Sequence, residues 1–178
     1  AGELDAITIN FPTPQPKAKY AKKRLVHVDH LMLYRPLFSA GATVTLRTDS
    51  KPLRDYALGQ FAAAGYDTLW VSDDVRRDHP EHPETEYERR TREMGAAVYG
   101  ICATPGAQPS DEQLAAGRAQ EQSLACYLPD NLDELAYVPL GMEEAVENFR
   151  NRARKGKKRL PQESQGPLMV AASANKRK

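Results

Sequence analysis

Lys17, Lys19, Lys22, Lys23 and Arg24 place five cations in eight positions, with Tyr20 among them. Ammonium and guanidinium groups at that density attract phosphate, and a tyrosine between them offers a ring on which a base or ribose can stack. The cluster follows Pro12, Pro14 and Pro16, which force an extended turn directly after an apolar segment. A second spot is Thr48-Asp49, at the end of another apolar segment. A carboxylate there accepts hydrogen bonds from a base edge, a ribose hydroxyl or an amino group, or else caps the helix that follows. The third is Thr85-Glu86-Tyr87-Glu88. With Thr85 three residues before Glu88, it reads first as a capping box at a helix start.

Other candidates carry less. His79 and His82 lie near Asp78, Glu81 and Glu84, but they lack a second ligand pair at a recognised spacing, so no metal site is expected. No Gly-x-Ser-x-Gly, Walker A or Gly-x-Gly-x-x-Gly pattern occurs. Nothing local pairs Cys102 or Cys126 with a histidine for nucleophilic catalysis. A second polycation between Arg150 and Arg159 suits nonspecific RNA attraction or solubility.

The elements that must position these groups follow from periodicity. Leu4–Phe11 reads as a strand ended by Pro12, and 28–41 as a helix capped by Asp29, with Pro36 placed to kink it or end it early. A strand is expected over 42–48, then a helix capped by Asp49 or Ser50 and running to Gly65. A strand over 66–71, a long polar loop over 72–84, a charged helix from Thr85 to Gly95 and a last strand over 96–102 complete the series. Helices alternating with strands indicate an α/β sheet. Beyond Ala103 helices are expected over 111–124 and 142–154, with a small basic tail over 171–178.

The chain has 178 residues, with 25 basic and 24 acidic side chains, enough for one domain with a core. Those charges are sorted. Residues 1–100 hold fourteen of each sign, 101–147 hold nine acidic against Arg118, and 148–178 hold ten basic against Glu163. A neutral body, an acidic connector and a basic tail follow. No apolar run approaches the roughly 20 residues of a membrane span, and the first dozen residues do not resemble a signal peptide. Two cysteines fit a reducing cytoplasm.

The order of the three spots carries a resemblance. Asn10-Phe-Pro-Thr-Pro-Gln-Pro-Lys-Ala-Lys-Tyr-Ala-Lys-Lys-Arg24-Leu25 resembles the Phe-Pro-Asp-Pro-Trp-x-Lys-x-Arg-His-x-Lys-Arg-Arg signature of tRNA (guanine-N7-)-methyltransferases. Thr48-Asp49-x-x-Pro-Leu-x-x-Tyr56 is similar to that family's Thr-Asp segment, and Glu84-Thr-Glu-Tyr-Glu88 to its Thr-x-Phe/Tyr-Glu motif. The resemblance covers about residues 4–100. It implies a Rossmann-like methyltransferase sheet that moves a methyl group from S-adenosylmethionine to N7 of a guanosine in the tRNA variable loop. It further implies that Lys17, Asp49, Thr85, Glu86, Tyr87 and Glu88 touch the substrate, and that Lys19, Tyr20, Lys22, Lys23 and Arg24 lie on RNA. Thr13 stands at the family's catalytic, cofactor-side Asp, and Gln15 at its Trp.

The family's upstream strands, Gly-rich turn and ribose-binding acid have no counterpart here. The expectation is therefore the carboxyl-terminal half of that domain over 1–102, followed by a poorly structured extension over 103–178. The leading expectation is an enzyme half with no detectable S-adenosylmethionine binding on its own; the alternatives are an RNA-binding remnant without catalysis and a piece whose sheet is completed by a second chain.

Overall fold

The computed structural model describes residues 2–132, 135 and 137–154. Four strands, β1 (Leu4–Asn10), β2 (Phe38–Thr48), β3 (Tyr66–Ser72) and β4 (Tyr99–Pro105), form one sheet in the order β1-β2-β4-β3. β1 and β2 run parallel, while β4 runs antiparallel to both its neighbours. The helices are α1 (Val28–Tyr34), α2 (Lys51–Ala63), α3 (Val75–Asp78), α4 (Glu86–Glu93), α5 (Asp111–Ala119) and α6 (Glu143–Arg154). The mixed α/β architecture is the one the alternation of strands and helices implied.

Register puts an apolar stripe on one face of the sheet. Ile9 lies opposite Leu46, and Leu46 opposite Ile101. That stripe packs against Val28 and Leu31 of α1 and Leu53, Tyr56, Ala57 and Phe61 of α2 in one buried cluster. Leu124, Leu128, Leu132, Met142 and Val146 belong to the same cluster. Part of the chain beyond Ala103 is therefore built into the core, and its apolar side chains are covered by helices formed earlier in the sequence.

Local chemistry sets most boundaries. Ser50 caps α2 by accepting from the Leu53 amide, which leaves the Asp49 carboxylate for other partners. α2 stops at Gly65, whose φ of +69° is costly for any residue with a Cβ. α1 is capped by His27 rather than Asp29: the ring nitrogen accepts from the Asp29 amide, and the Asp29 carboxylate pairs with Arg118 at 2.8 Å. Pro36 ends α1 early, in a 3-10 turn over Arg35–Leu37, so β2 starts at Phe38, four residues ahead of expectation.

Three further boundaries move. The polar loop after β3 contains α3, capped by Asp74. The last strand starts at Tyr99, because the Val98 carbonyl is taken by the Val75 amide at 2.8 Å before the ladder begins. α5 stops at Ala119, where Gln120 turns inward to bond Gln60 and the Tyr56 carbonyl. The basic residues Lys155, Lys157, Lys158 and Arg159 and the 171–178 tail lie outside the described residues.

The topology decides where a site can be. β1 and β2 are parallel, so the proline turn after Asn10 and the Thr48-Asp49 step leave the sheet at the same end. Thr48 pairs with Tyr99 and Ser72 with Gly100, so the long 73–98 connection also leaves and re-enters there. All three sequence motifs are delivered to one edge. Carboxyl ends of strands are where open α/β sheets bind ligands.

Candidate functional site

The proline turn is held by a buried cation. Phe11 and Gln15 have φ of 45° and 51°, a left-handed geometry that non-glycine residues adopt at a cost of about 1–3 kcal/mol. A run of prolines also leaves carbonyls without matching amide donors. Arg24 answers both. Its guanidinium donates to the carbonyls of Pro14, Gln15 and Gln122, at 3.1, 2.7 and 2.7 Å, and its planar group stacks 4.4 Å from the Tyr56 ring. Burial pushes its pKa down from the ordinary arginine value. Arg24 is only 1% exposed. The fifth cation of the cluster is therefore a brace inside the protein, and the exposed basic face is made by the other four and Tyr20.

Asp49 lies at the centre of the three motifs. It is buried, and its Oδ2 accepts from the hydroxyls of Tyr87 at 3.0 Å and Tyr137 at 3.1 Å. The Tyr87 ring packs 5.0 Å from Phe11, the residue that starts the proline turn. The Phe11 amide donates to the Arg47 carbonyl one strand away. Motif one touches motif three, and motif three touches motif two. Both tyrosine hydroxyls hold their protons more tightly than usual, first through burial and then through the nearby carboxylate.

Burial also raises the Asp49 pKa, and the two hydroxyls only partly offset it. A carboxyl raised above its unfolded value of about 3.9 favours folding most when protonated, and that contribution fades as pH climbs through the folded pKa. Asp49→Asn removes the cost of burying the charge. The variant is expected to melt above the parent at pH 7, with the gap closing as the pH approaches about 4. Melting curves for both proteins across pH 3.5–7.5 check this; a variant that melts lower throughout would contradict it.

Glu88 is fully buried between two guanidinium groups. Arg47, itself 1% exposed, pairs with its Oε2, and Arg76 Nε lies 2.7 Å from its Oε1. Arg47 also donates to the Pro83 carbonyl at 2.7 Å. Thr85 caps α4 by accepting from the Glu88 amide. The cap is one-sided, since the Glu88 side chain is occupied by the two arginines. Glu86 is exposed and paired with Arg89 and Arg90. Of Thr85-Glu86-Tyr87-Glu88, only Tyr87 reaches Asp49, while Thr85 and Glu88 fix the helix that presents it.

Ala18–Lys23 is a 3-10 turn, with Lys19 and Lys23 each 4.9 Å from the Tyr20 ring. Lys22 and Tyr20 are exposed, as is Thr13 within the proline turn. Lys17 is exposed and paired with Glu144 at 2.8 Å. Between Tyr137 and Glu144 the chain crosses the site: Tyr137 bonds Asp49, Gly141 lies beside Pro14, and Glu144 meets Lys17. Sequence reasoning missed Tyr137, Glu144, Arg47 and Arg76. Arg47 had a signal, as a lone charge in a β-branched strand that must find a counter-ion. The contacts of Tyr137 and Glu144 are long-range and left no local trace.

A family model described as "Putative methyltransferase" matches residues 1–101. The chain belongs to this methyltransferase family. A protein of Streptococcus equi subsp. zooepidemicus named "tRNA (guanine-N(7)-)-methyltransferase" is 32% identical over 105 residues, 58% of this chain and 50% of that protein. Proteins of the same name from Exiguobacterium sibiricum and Alkaliphilus oremlandii are 33% identical over 104 residues and 34% over 99, covering 49% and 47% of their lengths. The chain spans about half the length of the curated relatives it matches. The matched region of the family ends within β4, so Tyr137 and Glu144 approach the site from outside it.

Proposed function

We propose that this member of the methyltransferase family forms the guanosine- and RNA-holding side of a tRNA (guanine-N7) methyl transfer. What supports the reading is the meeting of Phe11, Asp49 and Tyr87 at one sheet end, beside an exposed turn bearing Lys17, Lys19, Tyr20, Lys22 and Lys23. The names of the relatives supply the reaction.

The chemistry suits the residues. N7 of guanine already carries a nucleophilic lone pair, so catalysis needs alignment and exclusion of water more than a strong base. A carboxylate offers about four acceptor sites, and the tyrosines fill two of them at Asp49. Guanine presents N1–H and N2–H donors on the edge opposite N7, so a carboxylate that takes this edge leaves N7 free. Methylation puts positive charge on the base, which the buried Asp49 carboxylate stabilises once ionised. Lys17 and the 18–23 turn hold phosphates of the same strand.

The family's methyl donor is S-adenosylmethionine, which supplies an electrophilic methyl sulfonium. The residues present do not fit a cradle for it. Among the described residues, β1 runs into prolines and β2 into Thr48-Asp49-Ser50, neither of them a glycine-rich turn, and the exposed Thr13 offers a hydroxyl where the family has a carboxylate.

The test is guanosine discrimination. A tRNA with guanosine in the variable loop is expected to bind several-fold tighter than the same tRNA with adenosine there, and Asp49→Asn should erase the difference. Fluorescence anisotropy measures both. Equal affinity for the two RNAs would remove the guanosine site and leave an RNA-binding protein without base selection, the reading that Thr13 favours.

A further inference from the structure

The connection between α3 and α4 carries a group of donors that the guanosine reading does not use. His79, Glu81 and His82 each offer one ligand atom, and all three atoms lie within 4.8 Å of one another. His79 Nδ1 is 3.3 Å from Glu81 Oε1, and His82 Nε2 is 3.9 Å from the same oxygen. Ligands about 2.0–2.2 Å from a tetrahedral zinc sit roughly 3.2–3.6 Å apart, so the donors need only small side-chain rotations to converge. We propose that His79, Glu81 and His82 form a three-donor site for a borderline divalent transition-metal ion of the Zn²⁺, Ni²⁺ and Cu²⁺ class.

The fold supplies what the spacing alone did not. His79 closes α3, its amide bonded to the Val75 carbonyl at 2.8 Å, and the His82 amide returns to the His79 carbonyl at 3.2 Å. That turn carries all three ligands, and Pro80 and Pro83 limit its freedom. Both histidine side chains are about a quarter exposed, so the site opens to solvent while its walls are fixed. One wall is Trp70, stacked 4.0 Å from the His79 ring and 5.7 Å from that of His82. Two imidazoles and one carboxylate match the donor preference of zinc, nickel and copper and leave a coordination position for water or another ligand. An oxygen-preferring ion such as Mg²⁺ finds too few partners here.

Nearby cations do not forbid the ion. Arg47 and Arg76 flank the buried Glu88 carboxylate, which offsets part of their charge. The Pro83 carbonyl, next to His82, accepts from Arg47. An ion held at His82 would therefore stiffen the segment that leads into α4 and Tyr87.

Trp70 is the only tryptophan of the chain, which gives the experiment a built-in reporter. Protein without a histidine tag would be titrated with Cu²⁺ or Ni²⁺ while tryptophan emission is followed, and with Zn²⁺ by calorimetry. The expected result is saturable quenching, saturable Zn²⁺ binding, one ion per chain, and no response to Mg²⁺. His79→Ala and His82→Ala should each weaken binding at least tenfold. His79 also packs on Trp70, so the exposed Glu81→Gln, expected to weaken binding about three- to tenfold, keeps the test independent of local unfolding. Non-saturable binding, or affinity unchanged in both His82→Ala and Glu81→Gln, would overturn the site. Neither outcome bears on guanosine discrimination, which rests on other residues.

Discussion

Glu88→Ala is expected to destabilise the protein by about 3–5 kcal/mol, the range for breaking a buried ion pair by removing one partner. The reason is what the substitution leaves behind. Arg47 is 1% exposed and Arg76 sits against the same carboxylate, so two guanidinium groups would lose the charge that justifies their burial. For a chain of this length the loss corresponds to a fall in Tm of roughly 6–20 °C. Removing Arg47 as well should recover part of it, because one of the uncompensated charges goes too. A double-mutant cycle of Glu88→Ala and Arg47→Leu, read by urea denaturation, is expected to show coupling above about 1.5 kcal/mol. A loss below about 1 kcal/mol for Glu88→Ala would mean that the arginines find water or other partners. The effect reaches the site through α4. Glu88 follows Tyr87 directly, so a loosened Glu88 frees the ring that packs on Phe11 and the hydroxyl that bonds Asp49.

The same residue shows where sequence reading stops. Thr85 followed by Glu88 correctly announced a helix start, because capping is decided within four residues. The destination of the Glu88 side chain was not legible, since its partner Arg47 lies 41 positions upstream on a strand. The cation cluster teaches the same lesson. Lys17 through Arg24 look equivalent as a string, yet the fold turns Arg24 inward to serve the proline-turn carbonyls and leaves Lys22 and Lys23 outside. The surplus of proline carbonyls was the available clue. Strands β1 and β2 and helix α2 were legible because their patterns of apolar and breaker residues are local. The role of residues after Ala103 was less so. Leu124, Leu128 and Met142 are spaced without a regular period, and only packing against α2 and its neighbours reveals them as core. The convergence of the three motifs needed the parallel pairing of β1 with β2, which no single segment encodes.

Two sets of substitutions on the basic face are expected to move RNA affinity in opposite directions. Each lysine that neutralises a phosphate contributes about 0.7–0.9 to the slope of log affinity against log salt. Lys22→Ala with Lys23→Ala should therefore flatten that slope by about 1.4–1.8 and weaken tRNA binding about ten- to fiftyfold near 0.1 M salt. Arg24 belongs outside this set: Arg24→Ala would collapse the proline turn and confuse lost folding with lost contact. Glu144→Gln works the other way. The carboxylate neutralises Lys17, and since both side chains are about half exposed or more, solvent screens the pair and it adds little to folding stability. Freeing Lys17 should tighten tRNA binding up to about fivefold and steepen the salt slope by less than one unit. Anisotropy titrations at four salt concentrations separate the cases. An unchanged slope in the lysine pair would take the 18–23 turn off the RNA. Weaker binding on Glu144→Gln would mean that the Lys17 ion pair shapes the RNA surface instead of competing with it.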